Sequence, residues 1–148
     1  MKRVTAFTTM ELMTVVAIVG ILTAVAIPII AGQMPRYRLN GATRQVLGDF
    51  MWSRMQAVSQ KNEFKISLLS DHEYAILDDD NNDGTADTGE WTKTRDIQTQ
   101  YHDVRLGLTA DPVFFPRGSA SPATMNLTNG SGSKNVKVHI TGRVKVAE

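Results

Sequence analysis

The chain has 148 residues, enough for one domain or for one domain with an appended element. Its 16 Lys and Arg residues nearly balance its 15 Asp and Glu residues, and the formal net charge of +1 indicates no particular partner. The absence of cysteine excludes disulfide bonds and thiolate zinc sites.

The first predicted element is an apolar helix. No charged side chain occurs between Leu12 and Met34, and a bilayer core of about 30 Å requires roughly 20 apolar helical residues. We therefore expect residues 7–30 to form a transmembrane segment. Lys2 and Arg3 precede it, which predicts a cytoplasmic N-terminus and an exported C-terminal body. The alternative is a cleaved secretory signal peptide, whose apolar region is usually only about 7–15 residues long.

Glu11 is an ionisable residue at the edge of this apolar helix. Such a group is costly at membrane depth and requires a partner. A cut between Ala6 and Phe7 would supply one, because the new α-amino group of Phe7 would lie one helical turn from Glu11. In an array of subunits, Glu11 of one chain would meet the Phe7 amine of its neighbour and fix their axial register. The alternative is that Glu11 lies among lipid headgroups without a role.

Residues 7–28, FTTMELMTVVAIVGILTAVAIP, resemble the class III signal of type IV pilins and pseudopilins. The resemblance implies that a prepilin peptidase removes residues 1–6 as a leader and methylates the amino group of Phe7, and that Glu11 acts in assembly. It also implies a pilin-like fold, insertion in the bacterial inner membrane with a periplasmic body, and other pilins or pseudopilins as partners in a helical fibre. Ala6 departs from the family pattern, since Gly usually precedes the cut.

Residues 31–62 are predicted to continue the helix as an amphipathic segment. Apolar residues recur at three- and four-residue steps with charged residues between them, which is typical of a helix with one buried face. The expected buried face contains Leu39, Val46, Leu47, Phe50, Met51, Met55 and Val58. Pro28 and Pro35 each remove a backbone donor, so we expect them to kink or loosen the helix.

Residues 63–148 are predicted to form an exported, β-rich domain. Alternation of apolar and polar residues predicts five strands, at 64–68, 74–76, 104–108, 136–140 and 144–146. Thr141-Gly142 is the expected tight turn between the last two strands. Residues 119–133, rich in Ser, Gly, Asn, Thr and Pro, are expected to form a mobile surface loop. Antiparallel strands half-buried against one long helix give an α+β fold class.

Residues 79–90, DDNNDGTADTGE, match a twelve-position calcium loop at every position, with oxygen ligands at one, three and five, Gly at six and Glu at twelve. The candidate calcium ligands are the side chains of Asp79, Asn81, Asp83 and Glu90, the carbonyl of Thr85, and Asp87 directly or through water. The flanking sequences predict strands, so this would be a calcium loop in a β context and not an EF-hand. The alternative is a solvated acidic turn, because Asn, Asp and Gly are common turn residues.

The segments SRMQAV (53–58), FPRG (115–118) and ITGRVKV (140–146) resemble minor pseudopilins of the GspH/FimT type. This resemblance implies a body that caps or primes a pseudopilus in type II secretion, or a type IV pilus. The predicted function is therefore a structural, assembling subunit of a secretion pseudopilus. Another possible class of function is a calcium-dependent sensor or adhesin at a pilus tip, which would use the loop 79–90 for recognition.

The last strands carry a small basic patch. Arg143 and Lys145 follow Gly142, and Lys137 and His139 lie on the preceding strand. FimT-type pilins of DNA-uptake systems are similar, with a basic C-terminal motif after a Gly that contacts DNA phosphates, although Lys145 stands here where a second Arg is expected. The resemblance implies DNA binding through Arg143 and Lys145 as an alternative function. An ordinary strand with its polar face in water is the other interpretation.

No pattern in the sequence indicates catalysis. The three His residues are scattered, and no nucleophile elbow, zinc-protease or phosphate-loop motif occurs. We therefore expect no enzyme, and calcium is the only cofactor that the sequence suggests.

Overall fold

The computed structural model describes residues 8–147. They form two compact units, with the boundary between Met34 and Pro35. One helix and eight strands occur in this part of the chain: α1 (Thr9–Gln60), β1 (Glu63–Leu68), β2 (Glu73–Asp79), β3 (Thr92–Asp96), β4 (Arg105–Leu108), β5 (Val113–Phe114), β6 (Ala123–Asn129), β7 (Gly132–Val138) and β8 (Val144–Ala147). A long N-terminal helix followed by antiparallel strands confirms the α+β class.

The first unit consists of the apolar half of α1. This part of the helix is long and apolar enough to cross a membrane, and its large apolar side chains are exposed. The range of α1 includes Pro28 and Pro35, so neither proline ends the helix. The helix ends after Gln60, where Lys61 adopts the left-handed conformation (φ 64°) that often terminates helices.

The second unit, residues 35–147, packs one face of α1 on its strands. The buried residues of α1 recur at three- and four-residue steps: Leu39, Ala42, Thr43, Val46, Phe50, Ser53 and Ala57. The expected burial of Met51, Met55 and Val58 is wrong, because these side chains are 56%, 61% and 48% exposed. Met51 and Val58 directly follow the buried residues Phe50 and Ala57, and one residue is about 100° of rotation in an α-helix, so they lie beside the buried face rather than on it.

The strands form two antiparallel four-stranded sheets, ordered β3-β2-β1-β5 and β4-β6-β7-β8. Buried side chains from α1 and from both sheets belong to one hydrophobic core. Within it the Phe50 ring of α1 meets the Phe114 ring of β5 edge-on, with 6.3 Å between centroids. The helix and the sheets are therefore held by one shared set of contacts.

The expectation of a mobile loop over residues 119–133 is wrong. Strand β6 lies within this stretch and pairs with β4 on one side and β7 on the other. Its side chains at Ala123, Met125 and Leu127 are buried, whereas Thr and Asn occupy the alternate positions. The polar half of this alternation gives the segment the composition of a loop.

The tight turn between the last two strands is confirmed. The backbone N–H of His139 donates to the carbonyl of Arg143 (2.9 Å), and the N–H of Gly142 donates to the carbonyl of His139 (2.7 Å). Gly142 has φ 72°, and a Cβ there would collide with the carbonyl of Gly118. Glycine is therefore required at position 142 by both its conformation and its neighbour.

Candidate functional site

Glu11 lies in the first turn of α1. The hydroxyl of Thr8 accepts a hydrogen bond from the backbone N–H of Glu11 (3.2 Å), so Thr8 caps the helix. A carboxylate three residues after the cap is favourable beside the positive end of the helix dipole. Ala6 and Phe7 lie outside the described residues, so the pairing of Glu11 with a neighbouring amine stays a prediction.

The acidic loop 79–90 joins β2 to β3, which places it in a β context. Asp79 anchors the loop, since its side chain is almost fully buried. Its two carboxylate oxygens accept hydrogen bonds from the backbone N–H groups of Asp83 (3.1 Å) and Gly84 (2.7 Å). Gly84 has φ 78°, a conformation that favours glycine. The loop is therefore bent around the first residue of the calcium pattern.

The other candidate ligands are linked to one another by hydrogen bonds. The side-chain amide of Asn81 donates to carboxylate oxygens of Asp83 (3.2 Å) and Asp87 (2.9 Å). The carboxylate of Glu90 accepts from the N–H of Asp87 (2.9 Å). The N–H and hydroxyl of Thr85 both donate to Asp83, at 2.8 and 2.6 Å. These two bonds hold the pKa of the Asp83 carboxyl below its usual value.

The donor types of this loop fit calcium, but its carboxylates bind N–H groups rather than a common centre. Within residues 8–147, no three His, Cys, Asp or Glu side chains are placed to hold a metal ion. The Asn81 amide nitrogen lies between the Asp83 and Asp87 carboxylates, where it supplies the donor that a cation would replace. Calcium would require this amide to turn its oxygen inward.

Charged side chains at the base of the loop both repel and attract its negative charge. Glu63 lies directly opposite Asp79 in the β1–β2 pairing, and like charges in such positions repel. Burial, with the charge of Asp79 as a second cause, raises the pKa of Glu63, and burial likewise raises that of Asp78. Conversely, Lys65 donates to the carbonyl of Gly84 (2.8 Å) and brings one cation to the loop. A single lysine offsets only part of this negative charge.

The basic patch is assembled by the pairing of β7 with β8. Lys137 and Lys145 lie directly opposite each other. A cleft of about 240 Å³ beside them is lined by His139, Thr141, Arg143 and Lys145. The structure thus brings Arg143 and Lys145 together with the two basic residues expected on the preceding strand.

A cluster that sequence reasoning missed surrounds His72. Its Nδ1 lies 2.7 Å from Asp71 Oδ1, and Arg105 of β4 donates to the other Asp71 oxygen (2.8 Å). The hydrogen bond between Asp71 and His72 raises the pKa of His72 and lowers that of Asp71. The adjacent Asp-His pair was the available signal, whereas the position of Arg105 depends on the tertiary fold.

An apolar groove of about 550 Å³ is a second feature that the sequence did not indicate. Met51, Met55 and Val58 of α1 form one wall, and residues 142–144 form the other. The Nε of Arg54 donates to the carbonyl of Gly118 (3.0 Å), the same carbonyl that Gly142 approaches. Through Gly118, this contact holds the turn at Gly142 beside α1. Exposed apolar surface of this kind often marks a protein interaction site.

Comparison with known proteins gives one family and one fold. The family described as type II transport protein GspH matches residues 42–142. The minor pilin FimU of Pseudomonas aeruginosa, a type IV minor pilin, is 15% identical, with a TM-score of 0.60 over 76% of this chain and 90% of that chain. The minor pseudopilin EpsH from the type 2 secretion system of Vibrio cholerae is 10% identical, with a TM-score of 0.57 over 74% of this chain and 96% of that chain. No curated protein sequence gives a significant match. At these identities the two structures establish a pilin-like fold.

Proposed function

The chain belongs to the type II transport protein GspH family and is a minor pseudopilin of a type II secretion pseudopilus or type IV pilus-like fibre, and we propose that it joins this fibre through two surfaces of α1. The observation that carries the function is the family match over residues 42–142, which covers most of the second unit. The family and the fold are those of structural subunits rather than enzymes.

The first surface is the apolar half of α1, which anchors the protein in a membrane. We propose that this membrane is the bacterial inner membrane, with the N-terminus in the cytoplasm and the body in the periplasm, because Lys2 and Arg3 precede the apolar run. A prepilin peptidase would cut between Ala6 and Phe7 and methylate Phe7. The resulting amine would pair with Glu11 of a neighbouring pilin-type subunit.

The second surface is the groove beside Met51, Met55 and Val58. Lipid does not account for its exposure, because Arg36, Arg38 and Arg44 separate these residues from the apolar run. A pilin-type neighbour would cover the groove with apolar side chains when the subunit enters the fibre. Burial of each large side chain contributes about 1.5–3 kcal/mol relative to full exposure.

We further propose that the loop 79–90 binds one calcium ion. Support comes from the complete pattern of oxygen donors, from the buried Asp79 that bends the loop, and from the repulsion between Glu63 and Asp79. When bound, calcium would join β2 to β3 at this end of the sheet. DNA binding through Arg143 and Lys145 is not favoured, since the matching family is one of type II transport.

The experiment that tests this function is cross-linking of the full chain in its native membrane, followed by purification and mass spectrometry. We expect other pilin-type subunits among the products. We also expect the mass of the mature chain to be that of a chain beginning at methylated Phe7. The substitution Met55→Glu should reduce co-purification, whereas Leu69→Glu should not, because Leu69 is equally exposed (57%) but lies outside the groove. Absence of pilin-type subunits with the wild type would contradict the function; equal recovery of both variants would contradict only the groove.

A further inference from the structure

A polar cleft of about 270 Å³ lies at the start of the second unit. Arg36 and Asn40 of α1 line one side, and Ser131 of the β6–β7 turn lines the other with Ser133 and Lys134 of β7. All five side chains can donate hydrogen bonds, and no carboxylate lines the cleft. Two cations with hydroxyl and amide donors are the chemistry that binds a phosphate group.

The two cations of the cleft are not neutralised by the protein. Within residues 8–147, no ion pair includes Arg36 or Lys134. Asp103 lies in the connection between β3 and β4. Its carboxylate forms an ion pair with Arg38 (3.7 Å) and accepts a hydrogen bond from the side-chain amide of Asn129 (3.2 Å). The positive charge of the cleft is therefore available to an external anion.

The two sides of the cleft are tied together by a hydrogen bond. The side-chain amide of Asn129 donates to the backbone carbonyl of Pro35 (2.7 Å). This bond joins the end of β6 to the helix at the residue next to Arg36. Because Lys134 lies in β7 and is paired with Leu127 of β6, the distance between the two cations is constrained before any ligand binds.

The position of Arg36 in the chain indicates the source of the phosphate group. The uncharged run from Leu12 to Met34 is roughly 34 Å of helix, and a bilayer core is about 30 Å thick. Arg36 follows this run by two residues, at the level where lipid headgroups begin. Tyr37, the next residue, is 70% exposed, and tyrosine is enriched at membrane–water interfaces. An exposed Tyr beside Arg36, which is in no ion pair within residues 8–147, is therefore typical of contact with headgroups.

We propose that this cleft binds the phosphate of an anionic phospholipid through Arg36 and Lys134. The inference rests on the proposed membrane anchoring and adds to it a specific lipid site on the body. The bound headgroup would hold the β6–β7 turn at the membrane surface while the subunit awaits assembly. Anionic lipid would also offset cations that are otherwise unfavourable on the exported side of a transmembrane segment.

The test uses the full chain in nanodiscs of phosphatidylcholine, with or without phosphatidylglycerol. Amide hydrogen exchange at residues 131–134 should be slower in the discs that contain phosphatidylglycerol, by about fivefold for each cation that contributes. The double substitution Arg36→Gln with Lys134→Gln should abolish this slowing. The matched control, Arg117→Gln with Lys61→Gln, removes the same charge from exposed positions outside the cleft and should retain it. Equal melting temperatures of the two double variants would show that both are folded.

Three outcomes would overturn the lipid site and leave the membrane anchoring intact. The first is equal exchange in the two kinds of disc, and the second is slowing that survives the Arg36 and Lys134 substitutions. The third is the same slowing in phosphatidylcholine discs after addition of inorganic phosphate, which would identify a site for free phosphate. A chain that fails to co-elute with any disc would contradict the membrane anchoring itself, and this inference with it.

Discussion

The hydroxyl of Tyr74 donates a hydrogen bond to Oδ2 of Asp49 and so joins strand β2 to helix α1. Tyr74 is fully buried, and its burial, followed by the bond to Asp49, raises its pKa above the usual value. Arg95 of β3 lies 3.3 Å from the same carboxylate as an ion pair. One carboxylate therefore positions the helix against two strands of the first sheet.

Removal of the Tyr74 hydroxyl should destabilise the body. We expect Tyr74→Phe to lower the free energy of unfolding by about 1–2 kcal/mol, because Asp49 loses a hydrogen-bond donor while the ring volume is kept. Urea unfolding of the full chain in detergent micelles measures this. The control is Tyr37→Phe, because the side chain of Tyr37 is 70% exposed. This substitution should change the free energy of unfolding by no more than about 0.5 kcal/mol. Equal losses would contradict a structural role for the Asp49 contact.

The pKa of His72 should lie above its ordinary value of 6.5, because Asp71 stabilises the charged ring. A histidine with a raised folded-state pKa adds stability below its unfolded pKa, and this stability is lost as the pH rises through the raised value. An NMR titration of the His72 ring measures the pKa. Asp71→Asn should return it towards 6.5, whereas Arg105→Gln should leave it raised. An unshifted pKa in the wild type would show that the contact is absent in solution.

Millimolar calcium should raise the melting temperature of the full chain relative to chelator. A ligand bound only by the folded state adds about 2.7 kcal/mol at a hundredfold excess over its Kd. Magnesium should substitute poorly, because it prefers a tighter octahedral shell. Trp91 follows Glu90 directly and lies 5.5 Å from Trp52, so fluorescence of this pair should also respond to closure of the loop.

The variants for the calcium experiment follow from the contacts of the loop. Glu90→Gln should abolish the response while keeping an oxygen acceptor for the N–H of Asp87. Asp79→Ala is unsuitable, because Asp79 is buried and holds the loop without any metal. Asp80→Asn is the matched control, since it removes one charge outside the ligand pattern. No change in melting temperature or fluorescence of the wild type would establish a solvated turn.

Incorporation into the fibre should depend on Glu11. We expect Glu11→Ala to leave membrane insertion intact, because it removes a charge from an apolar helix, but to reduce co-purification with partner pilins several-fold. Thr14→Val is the control, since the Thr14 hydroxyl only bonds the carbonyl of Met10 within the same helix (2.9 Å). Equal recovery of the Glu11 variant and the wild type with partner pilins would contradict the pairing of Glu11 with an amine.

Features that depend on residues close together in the chain were predictable from the amino-acid sequence. The apolar run identified a helix long and apolar enough to cross a membrane, because this property requires only length and hydropathy. The turn at Gly142 and the pattern of oxygen donors from Asp79 to Glu90 were also readable, since a few consecutive residues specify each.

Which surfaces meet depends on the packing of elements that are distant in the chain. Residues 123–129 became a central strand because β4 and β7 satisfy their backbone hydrogen bonds on both sides, although half of their side chains are polar. Met51 and Met55 face outward because the buried face of α1 runs through Phe50, Ser53 and Ala57 instead. The cleft between Arg36 and Lys134 joins residues distant in the chain. No local pattern specifies such contacts, because their energies depend on which distant elements pack together.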